Sequence, residues 1–144
     1  MVDRFDLSGK RALITGGGRG LGREMAQAFA EHGADVIIAS RKLDVLEQTA
    51  AEIAEATGRT ITAKACHVGE WEQVSRLADE VYAEFGRVDV LVNNAGMSPL
   101  YESLSTVTED LWRKVIDVNL TGPFRLSALV GERIDVDHVR FFRV

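Results

Sequence analysis

A chain of 144 residues, 46% of them hydrophobic and 27% charged, is sized for one globular domain with its own core and leaves little room for two. Its formal net charge of −5 argues against nucleic acid or an anionic membrane as the main partner. The single cysteine, Cys66, rules out an internal disulfide and fits a reducing, cytoplasmic compartment, and the three scattered histidines offer no metal-ligand spacing.

The segment Met1–Arg11 is polar and has no apolar stretch of the kind a secretory signal needs. The run Lys10–Thr15 reads as a first strand. Residues 20–33 then place Leu21, Met25, Ala28 and Phe29 at helical spacing and stop at Gly33. The β-branched run Ala34–Ser40 is a second strand. A helix over 42–58 follows, with Leu43, Leu46, Ala50 and Ile53 on one face. Residues 59–68 read as a third strand. Residues 70–86 read as a helix with Trp71, Val74, Leu77, Val81 and Phe85 on one side. A fourth strand over 88–96 runs into a turn. Thr108 then caps a long helix to Arg133, with Asp110 in its first turn. Pro123 lacks an N–H and follows Gly122, so a kink is expected inside that helix. Short buried strands alternating with helices imply an α/β fold: a parallel sheet covered on both faces, with right-handed crossovers.

Gly16, Gly17, Gly18, Gly20 and Gly22 fall between the first strand and the first helix. Glycines let the backbone turn there and clear side chains from an approaching ligand, and the helix start behind them favours an anion. The spacing is not GxGxxG from Gly16, because Leu21 stands where the third glycine belongs. It is not a P-loop either, since no Gly-Lys-Ser/Thr follows. It is TGxxxGxG, on Thr15, Gly16, Gly20 and Gly22. NNAG at Asn93–Gly96 follows the fourth strand, and VNLTGPF occupies Val118–Phe124.

These motifs, in this order on a βα repeat, resemble the short-chain dehydrogenase/reductase family from about Leu7 to Glu132. The resemblance implies a Rossmann-like doubly wound parallel sheet of strand order 3-2-1-4, ending after the fourth βα unit. It makes residues 1–132 an incomplete dinucleotide-binding domain and 133–144 a divergent tail. It implies cofactor contacts from Gly16, Gly18, Arg19, Gly20, Leu21, Gly22, Ser40, Arg41, His67, Val68, Asn93, Asn94, Ala95 and Gly96, and a catalytic role for Asn119.

Charge at the end of the second strand selects the dinucleotide. A carboxylate there would accept bonds from a ribose 2′-OH and repel a 2′-phosphate. Ser40 and Arg41 stand in that place and Arg19 lies in the glycine loop, which is similar to the family's NADP-preferring members. The guanidinium fork suits phosphate, so NADP(H) is expected over NAD(H). His67 occupies the position where the family usually has an aspartate beside the adenine ring. It could stack on the base, donate a bond to it, or stand as a surface variant, while Val68 lines the pocket through its backbone.

The resemblance also implies hydride transfer between the nicotinamide and a carbonyl carbon, with a proton handled by the tyrosine of a YxxxK motif beside a serine. Four residues after Tyr82 comes Gly86, and four after Tyr101 comes Ser105. Neither makes YxxxK. None of the four lysines, Lys10, Lys42, Lys64 and Lys114, takes that place, and Ser98, Ser103 and Ser105 read as turn and cap residues. The expected protein is thus the N-terminal piece of an NADP-dependent oxidoreductase acting on a secondary alcohol or ketone, cut before its serine, tyrosine and lysine. Alone it is not expected to turn over. Its partners would be a dinucleotide and, only if completed, a small carbonyl or alcohol substrate, with no nucleic acid, membrane or metal. The alternatives are a non-catalytic NADP-binding module and a non-functional truncated product. An unpaired fourth strand would favour self-association through the sheet edge, unless the apolar tail His138–Val144 docks beside it.

Overall fold

The computed structural model describes residues 4–134. Chain order is β1 (Arg11–Thr15), α1 (Gly20–Glu31), β2 (Asp35–Ser40), α2 (Leu43–Thr57), β3 (Ile61–Ala65), α3 (Trp71–Phe85), β4 (Val90–Val92), a 3₁₀ turn (Leu104–Thr106), α4 (Glu109–Ile116), a π-helical segment (Asp117–Thr121) and α5 (Gly122–Gly131). The strands form one parallel sheet in the order β3-β2-β1-β4, as the motifs imply. Leu13 stands level with Ile37 on β2 and with Leu91 on β4.

Central strands covered on both faces are apolar throughout, because successive side chains enter opposite layers. Leu13 and Ile37 join Val74, Leu77, Val81 and Leu126 in one core layer, under α3 and α5. Their neighbours Ile14 and Ile38 join Ala26, Leu46 and Ile53 in the other, under α1 and α2. The helix faces differ from those read by periodicity. On α1 the buried residues are Gly22, Ala26 and Ala30, while Leu21 is 78% exposed and Ala28 faces out. Small residues let this helix lie close to the sheet, and Met25 and Phe29 pack only along its flank. On α2 and α3 the first predicted apolar residues, Leu43 and Trp71, are 40% and 43% exposed. Thr49 and Ala78 are buried in the faces that Leu43 and Trp71 were expected to lead.

β4 is shorter than the run 88–96 because the chain leaves the ladder after Val92. The N–H groups of Asn94 and Ala95 turn onto Thr15 Oγ1, each at 3.1 Å. Among the described residues β4 pairs only with β1. The expected docking of His138–Val144 beside it lies outside the described residues.

The predicted long helix is three pieces. Thr108 caps α4, accepting from the Leu111 N–H at 3.2 Å. The kink expected at Pro123 appears one turn earlier as the π segment. Pro123 has no hydrogen to donate to Asn119, its ring crowds that carbonyl, and the Gly122 N–H bonds back five residues to Asp117. α5 then meets the exit of β3 so closely that a Cβ on Gly122 would lie 1.8 Å from the Val68 carbonyl oxygen. Arg125 holds α5 to α3, stacking 4.5 Å from the centre of the Trp71 ring and donating to Ser75 Oγ at 3.2 Å.

Cys66, just beyond β3, is 2% exposed, and burial pushes its thiol up from 9.0 to about 11, with Glu80 adding to the shift. Between those values the unfolded chain has lost this proton and the folded chain still holds it. The stability the thiol contributes is therefore complete below the unfolded value and is lost as pH rises. Urea denaturation of wild type minus Cys66→Ala is expected to fall by roughly 2 kcal/mol between about pH 8 and about pH 11, whereas a flat difference would contradict it.

Candidate functional site

The glycine loop is built around Asn94. Its carboxamide Nδ2 donates to the carbonyls of Thr15 (3.1 Å) and Gly16 (3.2 Å), tying the exit of β4 to the exit of β1. Gly16 sits at φ +68°, where a side chain is strained. A Cβ at Gly22 would stand 2.1 Å from the Gly16 carbonyl and 2.6 Å from Asn94 Nδ2. The buried Thr49 hydroxyl on α2 donates to the Gly18 carbonyl at 2.9 Å. The carbonyls of Thr15, Gly16 and Gly18 are thus taken by side chains beneath the loop. Above it, α1 starts at Arg19 with no side-chain cap and no acidic residue in its first turn. The first N–H groups of the helix and its dipole are left for an anion.

That helix start opens on a cleft of about 840 Å³ along the carboxyl ends of the strands. Gly16, Gly18, Arg19 and Gly20 form its floor. Ser40, Arg41, Lys42 and Val45 line it from β2, and Cys66 to Glu70 from β3. Asn94 to Met97 line it beyond β4, with Lys114, Asp117 and Val118 above. The volume suits an extended organic ligand, and the position, where strand order reverses between β1 and β4, is where open α/β sheets bind ligands. Arg19, Arg41 and Lys42 are exposed at one end and, among the described residues, form no ion pair.

Most of the residues expected from the sequence meet here, and four, Leu21, Gly22, Asn93 and Asn119, do not line the cleft. Leu21 points to solvent, Gly22 is packed beneath the loop, and Asn93 Nδ2 turns away to Ser127 Oγ at 2.9 Å. Asn94 lines the cleft, but its side chain holds backbone. Asn119 is exposed and bonds the lining residue Met97 without itself lining the cleft. Its Oδ1 accepts from the Met97 N–H and its Nδ2 donates to the Met97 carbonyl, both at 2.8 Å, stapling the π segment to the loop after β4. Lys42, Thr49 and Met97 escaped the sequence reading. Lys42 carried a signal, as a second cation beside Arg41, while Thr49 showed only as a polar residue on an apolar helix face. Neither tyrosine lines the cleft: the Tyr82 hydroxyl donates to the Val130 carbonyl at 3.3 Å, with burial raising its pKa, and Tyr101 lies exposed before the 3₁₀ turn.

A sequence model of the family described as short chain dehydrogenase matches residues 10–138. The chain is 40% identical over 128 residues to short chain dehydrogenase/reductase dpmpG of Macrophomina phaseolina, covering 89% of this chain and 73% of that one. It is 35% identical over 130 residues to human dehydrogenase/reductase SDR family member 4, covering 90% of this chain but only 46% of the relative's length. A crystal structure of a metagenomic short-chain oxidoreductase in complex with NADP superposes with a TM-score of 0.86 at 33% identity, covering 90% of this chain and 58% of that one.

Removing the Asn94 carboxamide leaves two part-buried carbonyls unpaired. Asn94→Ala is expected to lose about 1–3 kcal/mol of stability by urea denaturation, with Asn93→Ala within about 0.5 kcal/mol of wild type. Equal effects of the two substitutions would contradict the clamp.

Proposed function

The chain belongs to the short-chain dehydrogenase family, and from that premise we propose that it is the NADP(H)-binding part of an oxidoreductase that interconverts a secondary alcohol and a ketone. One observation carries the cofactor assignment. An uncapped helix start lies at the end of the cleft that carries Arg19, Arg41 and Lys42, cations that form no ion pair among the described residues, and no carboxylate stands at the end of β2. The relative that holds NADP supports the same reading. When bound, the nicotinamide supplies or accepts the hydride. The rest falls to the chain. The amides of the first turn of α1 bind the pyrophosphate. Ser40, Arg41 and Arg19 take the 2′-phosphate. His67 and Val68 border the base, and Asn94 to Gly96 border the opposite end. Asn119 acts through Met97, whose backbone it holds in the cleft wall.

Proton transfer has no candidate of the YxxxK kind in the 144 residues. We assign that step to residues outside them, and to this chain the task of binding. The placement of Tyr82 on a backbone carbonyl favours a second reading, a binding module without chemistry of its own. We place the protein in a reducing compartment such as the cytoplasm, on its single buried thiol. Among the described residues no helix is long and apolar enough to cross a membrane.

Fluorescence titration is expected to give NADPH a dissociation constant roughly 10- to 100-fold below that of NADH, and Arg41→Asp to reverse the order. NADH binding as tightly as NADPH would reject the assignment. Sustained reduction of ketones by the 144-residue chain would reject the binding-only role.

A further inference from the structure

Thr49 lies in the middle of α2, 5% exposed, and its hydroxyl donates to the Gly18 carbonyl at 2.9 Å. A hydroxyl has one proton to give, and within a helix it often goes to the carbonyl four residues back. Thr57 and Ser75 do this, bonding the carbonyls of Ile53 at 2.7 Å and Trp71 at 3.0 Å. Thr49 instead reaches out of its own helix to the glycine loop, 31 residues earlier in the chain. The loop is packed tightly there: a Cβ on Gly18 would lie 3.2 Å from Leu46 Cδ2 and 3.5 Å from Val45 Cγ1. Gly18 is itself buried, where an unpaired carbonyl is costly.

The bond orients a peptide. In a trans peptide the C=O and the following N–H point opposite ways. With the Gly18 carbonyl turned onto α2, the Arg19 N–H points away from that helix, and among the described residues it has no partner. Arg19 is exposed and lines the cleft. The same helix holds the other cations. α2 begins at Leu43, directly after Arg41 and Lys42, and the Leu46 N–H donates to the Lys42 carbonyl at 3.2 Å. Thr49 thus links the loop that bears Arg19 to the helix whose start carries Arg41 and Lys42. We infer that Thr49 is a positioning residue for the 2′-phosphate: it sets the spacing between Arg19 and Arg41, and with it the preference for NADP(H). This inference rests on the cofactor reading above.

The test compares dissociation constants of NADPH and NADH for wild type, Thr49→Val and Thr49→Ser. Valine keeps the shape and loses the proton, so Thr49→Val is expected to lower the preference for NADPH about fivefold or more. Thr49→Ser keeps the donor and is expected to hold the preference within about twofold of wild type. In an Arg19→Ala background, Thr49→Val is expected to move the preference by less than about twofold, because the side chain it positions is gone. A merely structural role weakens NADPH and NADH equally in Thr49→Val, and that result overturns the inference. So does a preference lost in Thr49→Ser as well, or a Thr49→Val effect that persists in full without the Arg19 side chain. If Thr49→Val does not fold, Arg19→Ala and Thr49→Ser decide. A preference unchanged in Arg19→Ala leaves Thr49 nothing to position and overturns the inference, whereas a fall there with the preference kept in Thr49→Ser upholds it. A wild type without preference for NADPH removes the cofactor assignment and this inference together. A clear preference that Thr49→Val does not move removes only the inference.

Discussion

The site depends on one carboxamide. Asn94 reaches from the end of β4 to the carbonyls of Thr15 and Gly16, and Thr15 answers by accepting the N–H groups of Asn94 and Ala95 on its hydroxyl. This exchange ties the exits of two neighbouring strands together and determines where the glycine loop runs. It also explains Gly22, because any side chain there would displace both the loop carbonyl and the carboxamide that holds it. Thr49 secures the far side of the loop from α2. A loop held from below is ordered before a ligand arrives, so binding need not order it. Its amides remain available because no side chain caps the helix they begin.

The same economy governs the other wall of the cleft. Pro123 prevents an ordinary helix from running through 117–121, and the resulting π segment turns Asn119 toward the loop after β4, where it holds both polar groups of Met97. Close approach of Gly122 to Val68 fixes this segment against the exit of β3. The cleft therefore carries Arg19, Arg41 and Lys42 at one end and, at the other, Lys114 and Asp117 beside backbone held by an asparagine.

Sheet order, the glycine loop and the basic pair at Arg19 and Arg41 were legible because each leaves a mark at fixed spacing: an alternation of elements, a TGxxxGxG run, a charge where a carboxylate belongs. Helix faces were less so. Periodicity favours large apolar side chains, and α1 instead turns Gly22, Ala26 and Ala30 to the sheet, because closeness there outweighs bulk and leaves Leu21 in solvent. The two asparagines of NNAG look alike in sequence, yet Asn94 is the clamp and Asn93 reaches a serine on α5, a distinction that only strand geometry makes.

Amide ¹H–¹⁵N shifts on adding NADPH to the chain probe the seat directly. The largest are expected from Gly18 to Gly22 and from His67 to Gly69, with little change from Phe85 to Asp89 at the opposite, amino ends of the strands. Shifts concentrated at those amino ends, or a glycine loop that does not respond, would contradict a dinucleotide seat at the start of α1.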